Sequence, residues 1–307
     1  MTPQLVDEML EGRLKMLWNM SEDLAHIHPN QNKVHKALAN LELCIVSDLF
    51  PNETTAFADI IFGVKSAYEK EGVYVNAERR LHFSQPIIGS ELPDDWEVIN
   101  EVAKRMGTDF GFETQEDVWN ETRKKAPNRF GGASYEKLKA NRRDGLQWPV
   151  QETGTVRLHE KEFRTKDGLG HFNYFQYELR GQVQELIHDI RSEFYLSTGR
   201  VIDHYNNARQ TSECSKLDKR HEEDIILVSA EDAEGFDPES RYILKSEYGE
   251  SKPLKIKITK NMKKGCLFTT FHHSKSHINF LFGDEADSFV MTARFKSVKV
   301  KLEPAEG

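Results

Sequence analysis

The chain has 307 residues, of which 38% are hydrophobic and 30% are charged, and its formal net charge at pH 7 is −8. This length allows a sizeable core and two domains, whereas the negative charge argues against a general nucleic-acid surface, because such a surface needs a basic stripe. The three cysteines are far apart, and neither a leader sequence nor a membrane-length apolar run is present, so we expect a cytoplasmic protein with no iron–sulfur cluster, disulfide framework or membrane span of its own.

The first hundred residues alternate between helical and strand patterns. The predicted elements are a helix over 2–12, a strand over 14–20, a helix over 32–40, a strand over 43–47, a short helix over 52–58, a strand over 59–64 and a helix over 93–107. We expect Ile99 and Met106 to face inward from the last of these helices. The alternation predicts a parallel sheet with helices on its faces, in which ligands bind beyond the carboxyl ends of the strands.

Polar residues follow the first two predicted strands. The first strand leads into Asn19-Met20-Ser21-Glu22, and the second ends at Ser47-Asp48. A carboxylate at this edge of a sheet can accept hydrogen bonds from a guanine edge or from ribose hydroxyls. The alternative for Asp48 is a helix N-cap for the following segment, and the residue pattern leaves both interpretations open.

A second polar group follows the short predicted strand over 73–75. Gly72 ends the preceding helical pattern, and Asn76, Glu78, Arg79 and Arg80 come directly after the strand. These residues indicate either a solvated turn with weak ion pairs or one edge of a cofactor site.

The remaining chain changes from helical to β texture. Helices are predicted over 115–125 and 135–140, a loop over 145–157, an irregular region over 160–181 and either helix or strand over 183–190. Six strand-like runs follow, over 193–197, 224–228, 242–246, 254–259, 266–270 and 298–302. Short strands with Gly or Pro turns are typical of a small closed barrel, so we place a boundary near residues 180–191.

A dense set of polar side chains lies in the stretch STGRVIDHYNNARQT, residues 197–211. Gly199 is followed by Arg200, His204 and Tyr205, with two asparagines and Arg209 directly after them. Arginine grips phosphate with two donors and amides satisfy ring edges, so the stretch suits a large phosphate-bearing ligand. A polar hairpin at the surface is the alternative.

Three histidines, His272, His273 and His277, lie close together near the C-terminus. They suggest zinc, but no carboxylate or thiolate stands at a ligand spacing beside them. We therefore predict no metal ligand in this chain.

Four stretches in the same order resemble the C-terminal part of the alpha subunit of molybdopterin-dependent oxidoreductases, formate dehydrogenase in particular. These are residues 14–30 with 41–50, residues 55–80, the STGR…HYN…T stretch and residues 276–303. The resemblance covers nearly the whole chain. It implies an α/β fold followed by β: a parallel, Rossmann-like segment over 1–108, incomplete relative to the family, a helical or irregular connection over 109–190, and a six-stranded β-barrel of the double-psi type over 191–307 that binds a molybdopterin dinucleotide.

The resemblance implies a bis(molybdopterin guanine dinucleotide) cofactor that holds molybdenum or tungsten. By motif match, Asp48 would contact guanine or ribose, with Ser21 and Glu22 near the same nucleotide. The other implied cofactor contacts are Gly72, Asn76, Glu78, Gly199, Arg200, His204, Tyr205, Asn279, Phe295 and Lys296. The chain departs from the family pattern at Gly63, where the family has proline, and around residues 21–24, which weakens the nucleotide contacts assigned there.

The family's cysteine motif for a 4Fe–4S cluster, its metal-ligating cysteine or selenocysteine and its substrate arginine have no counterpart in this chain. We therefore expect no catalytic residue here and no formate turnover by the chain alone. The implied partners are an N-terminal portion or subunit with the 4Fe–4S cluster and electron-transfer subunits. The implied function is to bind cofactor for the oxidation of formate to CO2; the alternatives are a related enzyme such as nitrate reductase, or a non-catalytic remnant that binds cofactor or a partner.

Overall fold

A computed structural model describes residues 2–172, 193–286, 291–293 and 296–305. The chain forms two compact units, Met1–Phe62 with Tyr177–Gly307 and, separately, Gly63–Gln176. The predicted boundary near 180–191 and the ambiguous segment 183–190 lie outside the described residues. The predicted ranges 1–108, 109–190 and 191–307 therefore stay a prediction.

The first unit begins with an α/β segment. Its elements are α1 (Thr2–Leu10), β1 (Met16–Met20), α2 (Leu24–Ile27), α3 (Gln31–Ala39), β2 (Leu43–Asp48), a 3₁₀ turn (Thr54–Phe57) and β3 (Ile60–Gly63). The strands lie in the order β1-β2-β3, and β1 is parallel to β2, with Met20 opposite Ser47. α1 and α3 bury Val6, Met9 and Leu38 in a shared core. The predicted alternation of strand and helix is confirmed.

The second unit combines a small antiparallel sheet with helices. Its elements are β4 (Gly72–Val75), β5 (Arg80–Ser84), α4 (Asp95–Arg105), α5 (Gln115–Lys125), α6 (Pro127–Phe130), α7 (Tyr135–Ala140) and β6 (Leu146–Gln147). Its core contains Leu81, Phe83, Trp119 and Tyr135. The predicted helices are confirmed, but Ile99 of α4 and Met106, directly after α4, are exposed, whereas Val98 and Asn100 are buried.

The C-terminal strands return to the first unit and close into a barrel. They are β7 (Phe194–Gly199), β8 (Ile225–Ser229), β9 (Arg241–Lys245), β10 (Leu254–Thr259), β11 (Cys266–Thr270) and β12 (Val298–Pro304), and a short helix, α8 (Ser215–Asp218), precedes β8. The barrel order is β10-β8-β11-β7-β12-β9. Successive side chains of β10 point alternately into and out of the barrel, since Leu254 and Ile256 are buried while Lys255 and Lys257 are exposed. The closed six-stranded barrel is confirmed.

The barrel packs directly on the α/β segment of the same unit. The Asn279 amide donates to the carbonyls of His26 (2.9 Å) and Ile27 (3.1 Å) at the end of α2. Asn30 N–H donates to the Phe282 carbonyl (2.9 Å). These bonds satisfy carbonyls that a helix end leaves without an intrahelical partner. Over the described ranges, no helix combines the length and apolar composition that a membrane crossing requires.

Candidate functional site

The barrel loop, residues 200–211, meets the carboxyl ends of β1 and β2 at a small polar cavity. The cavity has a volume of about 90 Å³ and is lined by Ser21, Asp23, Asp48, Asn52, Tyr205, Asn206, Asn207, Arg209 and Gln210. Three residues proposed from the sequence, Ser21, Asp48 and Tyr205, therefore lie around one space. The fold brings Ser21 and Asp48 together because parallel strands end at the same edge of a sheet, and the barrel loop adds Tyr205.

Asp48 ends β2 with its carboxylate half-buried at the cavity. Its two oxygens accept hydrogen bonds from Leu49 N–H (2.6 Å) and from the Asn52 amide (2.8 Å). Burial raises the pKa of Asp48, the Leu49 bond opposes this shift, and the charge of Asp23 adds to it. The residue at the N-cap position of the following 3₁₀ turn is Glu53, so Asp48 does not have the capping role left open above.

The turn after β1 separates the neighbouring predicted residues. Ser21 adopts a left-handed conformation with φ of +53° and donates its N–H to the Ser47 carbonyl (2.8 Å). The Glu22 carboxylate instead pairs with His28 Nε2 at 3.0 Å, and Glu22 is not among the residues that line the cavity.

Asp23, which is not among the predicted contacts, joins the two sides of the cavity. Its buried carboxylate accepts hydrogen bonds from Thr54 N–H (3.0 Å), the Thr54 hydroxyl (2.9 Å) and the Asn207 amide (2.9 Å). Burial raises its pKa, but the hydrogen bond and charge of His26 and the Thr54 bonds outweigh burial, so the pKa is lowered. Asp23 is therefore an ionised anchor for the barrel loop.

The barrel loop starts where β7 ends at Gly199, and the predicted contacts Gly199, Arg200 and Lys296 are not among the residues that line the cavity. A Cβ added at Gly199 would lie 2.8 Å from a ring carbon of Phe268, so a side chain there requires the ring to shift. Arg200 donates to the Asn206 side-chain oxygen at 2.9 Å. Burial lowers the pKa of Lys296, and the charge of Arg200 lowers it further, so these two cations influence one another. Tyr205 donates its hydroxyl hydrogen bond to Gln210.

His204 lies in the interior of this loop rather than at its surface. Its side chain is 3% exposed, and Nδ1 lies 2.8 Å from the Thr211 hydroxyl. Nε2 is buried and has no hydrogen-bond partner among the described residues. Burial lowers the pKa of His204, and the charges of His273 and His221 lower it further.

The other predicted contacts are in different surroundings. Asn279 uses its amide hydrogens on α2, and its oxygen has no partner within the described part of the chain. Gly72, Asn76 and Glu78 belong to the second unit; Gly72 begins β4, and the Asn76 oxygen accepts from Glu78 N–H at 2.9 Å. Phe295 lies outside the described residues.

A larger cavity of about 570 Å³ adjoins this site and shares Asp23, Asn52, Asn207 and Arg209 with it. Its remaining lining includes side chains of both charges from the barrel, among them Glu222, Arg241, Lys252 and His273. Across the described residues, no group of three or more His, Cys, Asp or Glu side chains is arranged to hold a metal ion.

The donor chemistry fits a phosphate-bearing heterocycle. Arg209 supplies positive charge at the cavity, Asp48 supplies an acceptor, and the asparagines supply amides that can pair with ring edges. Arg200 and Lys296 add positive charge on the barrel side without lining the cavity. Arg209, which lines both cavities, has a buried Nε donor with no partner in the part of the chain that the structure describes, and the buried His204 Nε2 has none there either. Buried polar groups are normally satisfied, so atoms of this kind beside a cavity indicate a ligand.

Comparison with known proteins gives two domain matches that together cover both parts of the first unit. Residues 3–105 match the Molybdopterin oxidoreductase family, and residues 194–299 match the Molydopterin dinucleotide binding domain. The matched ranges contain all of the residues predicted to contact cofactor.

Similar proteins are considerably longer than this chain. The F420-dependent formate dehydrogenase subunit alpha of Methanocaldococcus jannaschii is 32% identical over 98% of this chain and 45% of its own length. The assimilatory nitrate reductase catalytic subunit of Bacillus subtilis is 29% identical over 98% and 44%, and formate dehydrogenase H of Escherichia coli is 28% identical over 98% and 42%. The chain thus spans less than half the length of these relatives.

A solved structure shares the fold. Acetylene hydratase from Pelobacter acetylenicus superimposes with a TM-score of 0.74 over 99% of this chain and 46% of its own, at 16% identity. At this identity the likeness shows the architecture alone.

Proposed function

Because this chain belongs to the molybdopterin oxidoreductase family, we propose that it is the cofactor-binding C-terminal portion of a cytoplasmic formate dehydrogenase alpha subunit. In the complete enzyme, formate would lose two electrons and a proton to give CO2, and the electrons would pass to an iron–sulfur partner. The observation that carries this proposal is the meeting of Asp48, Ser21 and Tyr205 at one cavity beside Arg209.

The proposed cofactor is a bis(molybdopterin guanine dinucleotide) that holds molybdenum or tungsten. When bound, this group supplies the two-electron redox chemistry, and the chain binds and orients it. Asp48 would accept hydrogen bonds from guanine or ribose. Arg200 and Lys296 would hold phosphates, while His204 and Tyr205 would bond the polar edge of a pterin. The assigned contacts at Gly72, Asn76, Glu78 and Phe295 stay predictions of the sequence motif.

The proposed partners are a polypeptide that carries the 4Fe–4S cluster and the metal ligand, together with electron-transfer subunits. We expect the chain to be recovered from its host with such a partner, with molybdenum or tungsten, and with guanine nucleotide released on acid hydrolysis. Recovery without metal and nucleotide would contradict the proposal and would favour a non-catalytic remnant. Formate turnover by the purified, metal-loaded chain alone would contradict the assignment of catalysis to the partner.

Variants test the proposed site itself. Asp48→Asn and Arg200→Gln should each lower the guanine nucleotide retained per chain by about tenfold, because charge-assisted hydrogen bonds contribute about 1.5–3 kcal/mol. Glu303→Gln is the matched control, since its carboxylate pairs with Lys245 (2.7 Å) on exposed strands of the barrel. Equal retention in all three proteins would argue against this cavity as the nucleotide site.

Nitrate reduction is a second candidate, favoured by the nitrate reductase relative at 29% identity beside the formate dehydrogenase relative at 32%. The residues that we assign bind a cofactor common to both enzymes, so they do not distinguish the substrates. Assays of the recovered complex with formate and with nitrate separate the two candidates.

A further inference from the structure

His272 follows β11 and lies against the start of the barrel loop. Its ring is joined to this loop at two points: Val201 N–H donates to Nε2 at 3.1 Å, and Nδ1 lies 2.9 Å from the Asn206 carbonyl oxygen. The side chain is only 4% exposed. The two bonds connect the ends of the six-residue stretch 201–206, so the ring holds these two ends at a fixed separation.

The partners of the ring determine its protonation state. A backbone N–H can only donate, so Nε2 must be without hydrogen; a carbonyl can only accept, so Nδ1 must carry the hydrogen. His272 is therefore the neutral Nδ1-H tautomer. A proton added to Nε2 would face the Val201 N–H and remove that hydrogen bond.

The backbone beneath the ring cannot follow the loop if this bond breaks. The Asp224 carboxylate, which is fully buried, accepts hydrogen bonds from His272 N–H (3.1 Å) and His273 N–H (3.1 Å). The same carboxylate accepts from the Thr270 hydroxyl. The histidine side of the contact is thus fixed by the barrel, and the loop is the part able to move.

We propose that His272 is a positioning residue that holds the barrel loop in its ligand-binding conformation only while its ring is neutral, so that acid releases the loop. The inference rests on the proposed function in one respect, because the cofactor contacts of Arg200 and Tyr205 are part of that proposal. Arg200 bonds the Asn206 side chain (2.9 Å), so displacement of Asn206 also removes the partner that orients the arginine.

The surroundings favour the neutral ring. Burial lowers the pKa of His272; the Asn206 carbonyl and the Asp224 charge oppose this shift, whereas His204 and His273 add to it. Two titratable groups face His272 directly: the Asp224 carboxylate, which accepts from its backbone N–H, and His204, whose ring centroid lies 5.4 Å from that of His272. His273 is next in the chain, and the His221 ring lies 6.1 Å from the His204 ring. Lys296 lies over the adjoining Phe271 ring at 5.0 Å. The loop should accordingly be held at neutral pH and released below the ordinary histidine range.

The test uses the full chain and two substitutions at this position. His272→Gln leaves an amide that can accept from Val201 and donate to Asn206 without titrating between pH 5 and 8. His272→Phe removes both bonds. The matched control is His273→Gln, because the His273 ring bonds the His221 carbonyl (2.8 Å) rather than the barrel loop.

Hydrogen exchange of the peptide over residues 200–207, corrected for the intrinsic pH dependence of exchange, reports the loop without any cofactor. We expect protection in the natural sequence to fall about tenfold between pH 7.5 and pH 5, the size expected for one lost hydrogen bond. His272→Gln should keep its protection at both pH values, and His273→Gln should still lose protection in acid. A fall in His272→Gln equal to that of the natural sequence would overturn the inference, whether or not His272→Phe folds.

Binding of GDP, measured by calorimetry at the same two pH values, separates this inference from the proposed function. We expect GDP affinity to fall in acid in the natural sequence and to stay constant in His272→Gln. If no variant binds GDP and the exchange profile still depends on His272, the positioning role holds and the nucleotide assignment fails. If GDP binds equally at both pH values in the natural sequence, the positioning role is wrong.

Discussion

Asp23 shows how a single carboxylate can hold two distant parts of the chain at the candidate site. It lies 184 positions from Asn207 in the sequence, and its buried oxygens bond Asn207 on one side and Thr54 on the other. No spacing rule connects such residues, so the sequence motifs indicate the neighbouring Ser21 and Glu22 but not Asp23. The residues that it did bring together, Ser21 and Asp48, were predictable because both follow parallel strands.

Asp23→Asn should lower the free energy of unfolding by about 1–3 kcal/mol, because the new amide places a donor against the Asn207 donor at a buried site. Urea denaturation measures this change. The double variant Asp23→Asn with Asn207→Asp restores a donor–acceptor pair, so it should recover part of the loss. Glu22→Gln is the control, since the Glu22 side chain is partly exposed and pairs with His28 rather than with the barrel loop. Equal stability of all the variants would contradict the anchoring role.

The pH dependence of this contribution has a definite sign. The folded-state pKa of Asp23 is lowered, so its contribution is fully present above the ordinary aspartate pKa and is lost as pH falls through the lower folded value. The difference in unfolding free energy between the natural sequence and Asp23→Asn should therefore shrink in acid. A difference that grows in acid would show that Asp23 is protonated in the folded protein.

At the scale of elements, the barrel strands were easier to predict than the buried face of α4. Strict alternation in β10 leaves one possible inward face, whereas the α4 sequence carries apolar residues on more than one side. On α4 the buried position is Asn100, whose amide donates to the Phe112 carbonyl (3.2 Å), while the neighbouring Ile99 is exposed. A polar residue buried through an amide bond to a loop carbonyl is not detected by a hydrophobic period.

Gly132 in the second unit illustrates a close backbone approach between elements. A Cβ added there would lie 1.5 Å from the Gln151 carbonyl oxygen, so Gly132→Ala must displace backbone. We expect the free energy of unfolding to fall by about 1–3 kcal/mol or more, as overpacking does elsewhere. Gly89→Ala is the matched control, because nothing lies within 4 Å of its added Cβ. Thermal or urea denaturation measures this change. An equal free energy of unfolding for Gly132→Ala and Gly89→Ala would contradict the close approach of the backbone at Gly132.

At the scale of the whole molecule, the family was recognisable from four ordered motifs, but the packing of the first unit was not. The bond from Asn279 to the His26 carbonyl spans 253 positions, and local patterns carry no information on contacts of this separation. The barrel itself was predictable from its alternating strands and short turns. Its attachment to the α/β segment depends instead on bonds between residues far apart in sequence, among them those from Asn279 to the end of α2, a helix of only four residues.

Asn279→Ala should weaken this attachment. The substitution leaves the carbonyls of His26 and Ile27 without the donor that caps α2, and a buried acceptor without a partner costs about 1–3 kcal/mol. Asn279→Asp should cost more, since a carboxylate in that place would face two carbonyl oxygens. Asn279→Ala should therefore separate the melting of the α/β segment from that of the barrel. Gln31→Ala removes a bond to the Leu24 carbonyl (3.2 Å) within the α/β segment, so it should not separate them. Calorimetry measures the transitions, and Asn261→Ala, at an exposed site, is the control. A single shared transition in every variant would show that other contacts alone join the barrel to the α/β segment.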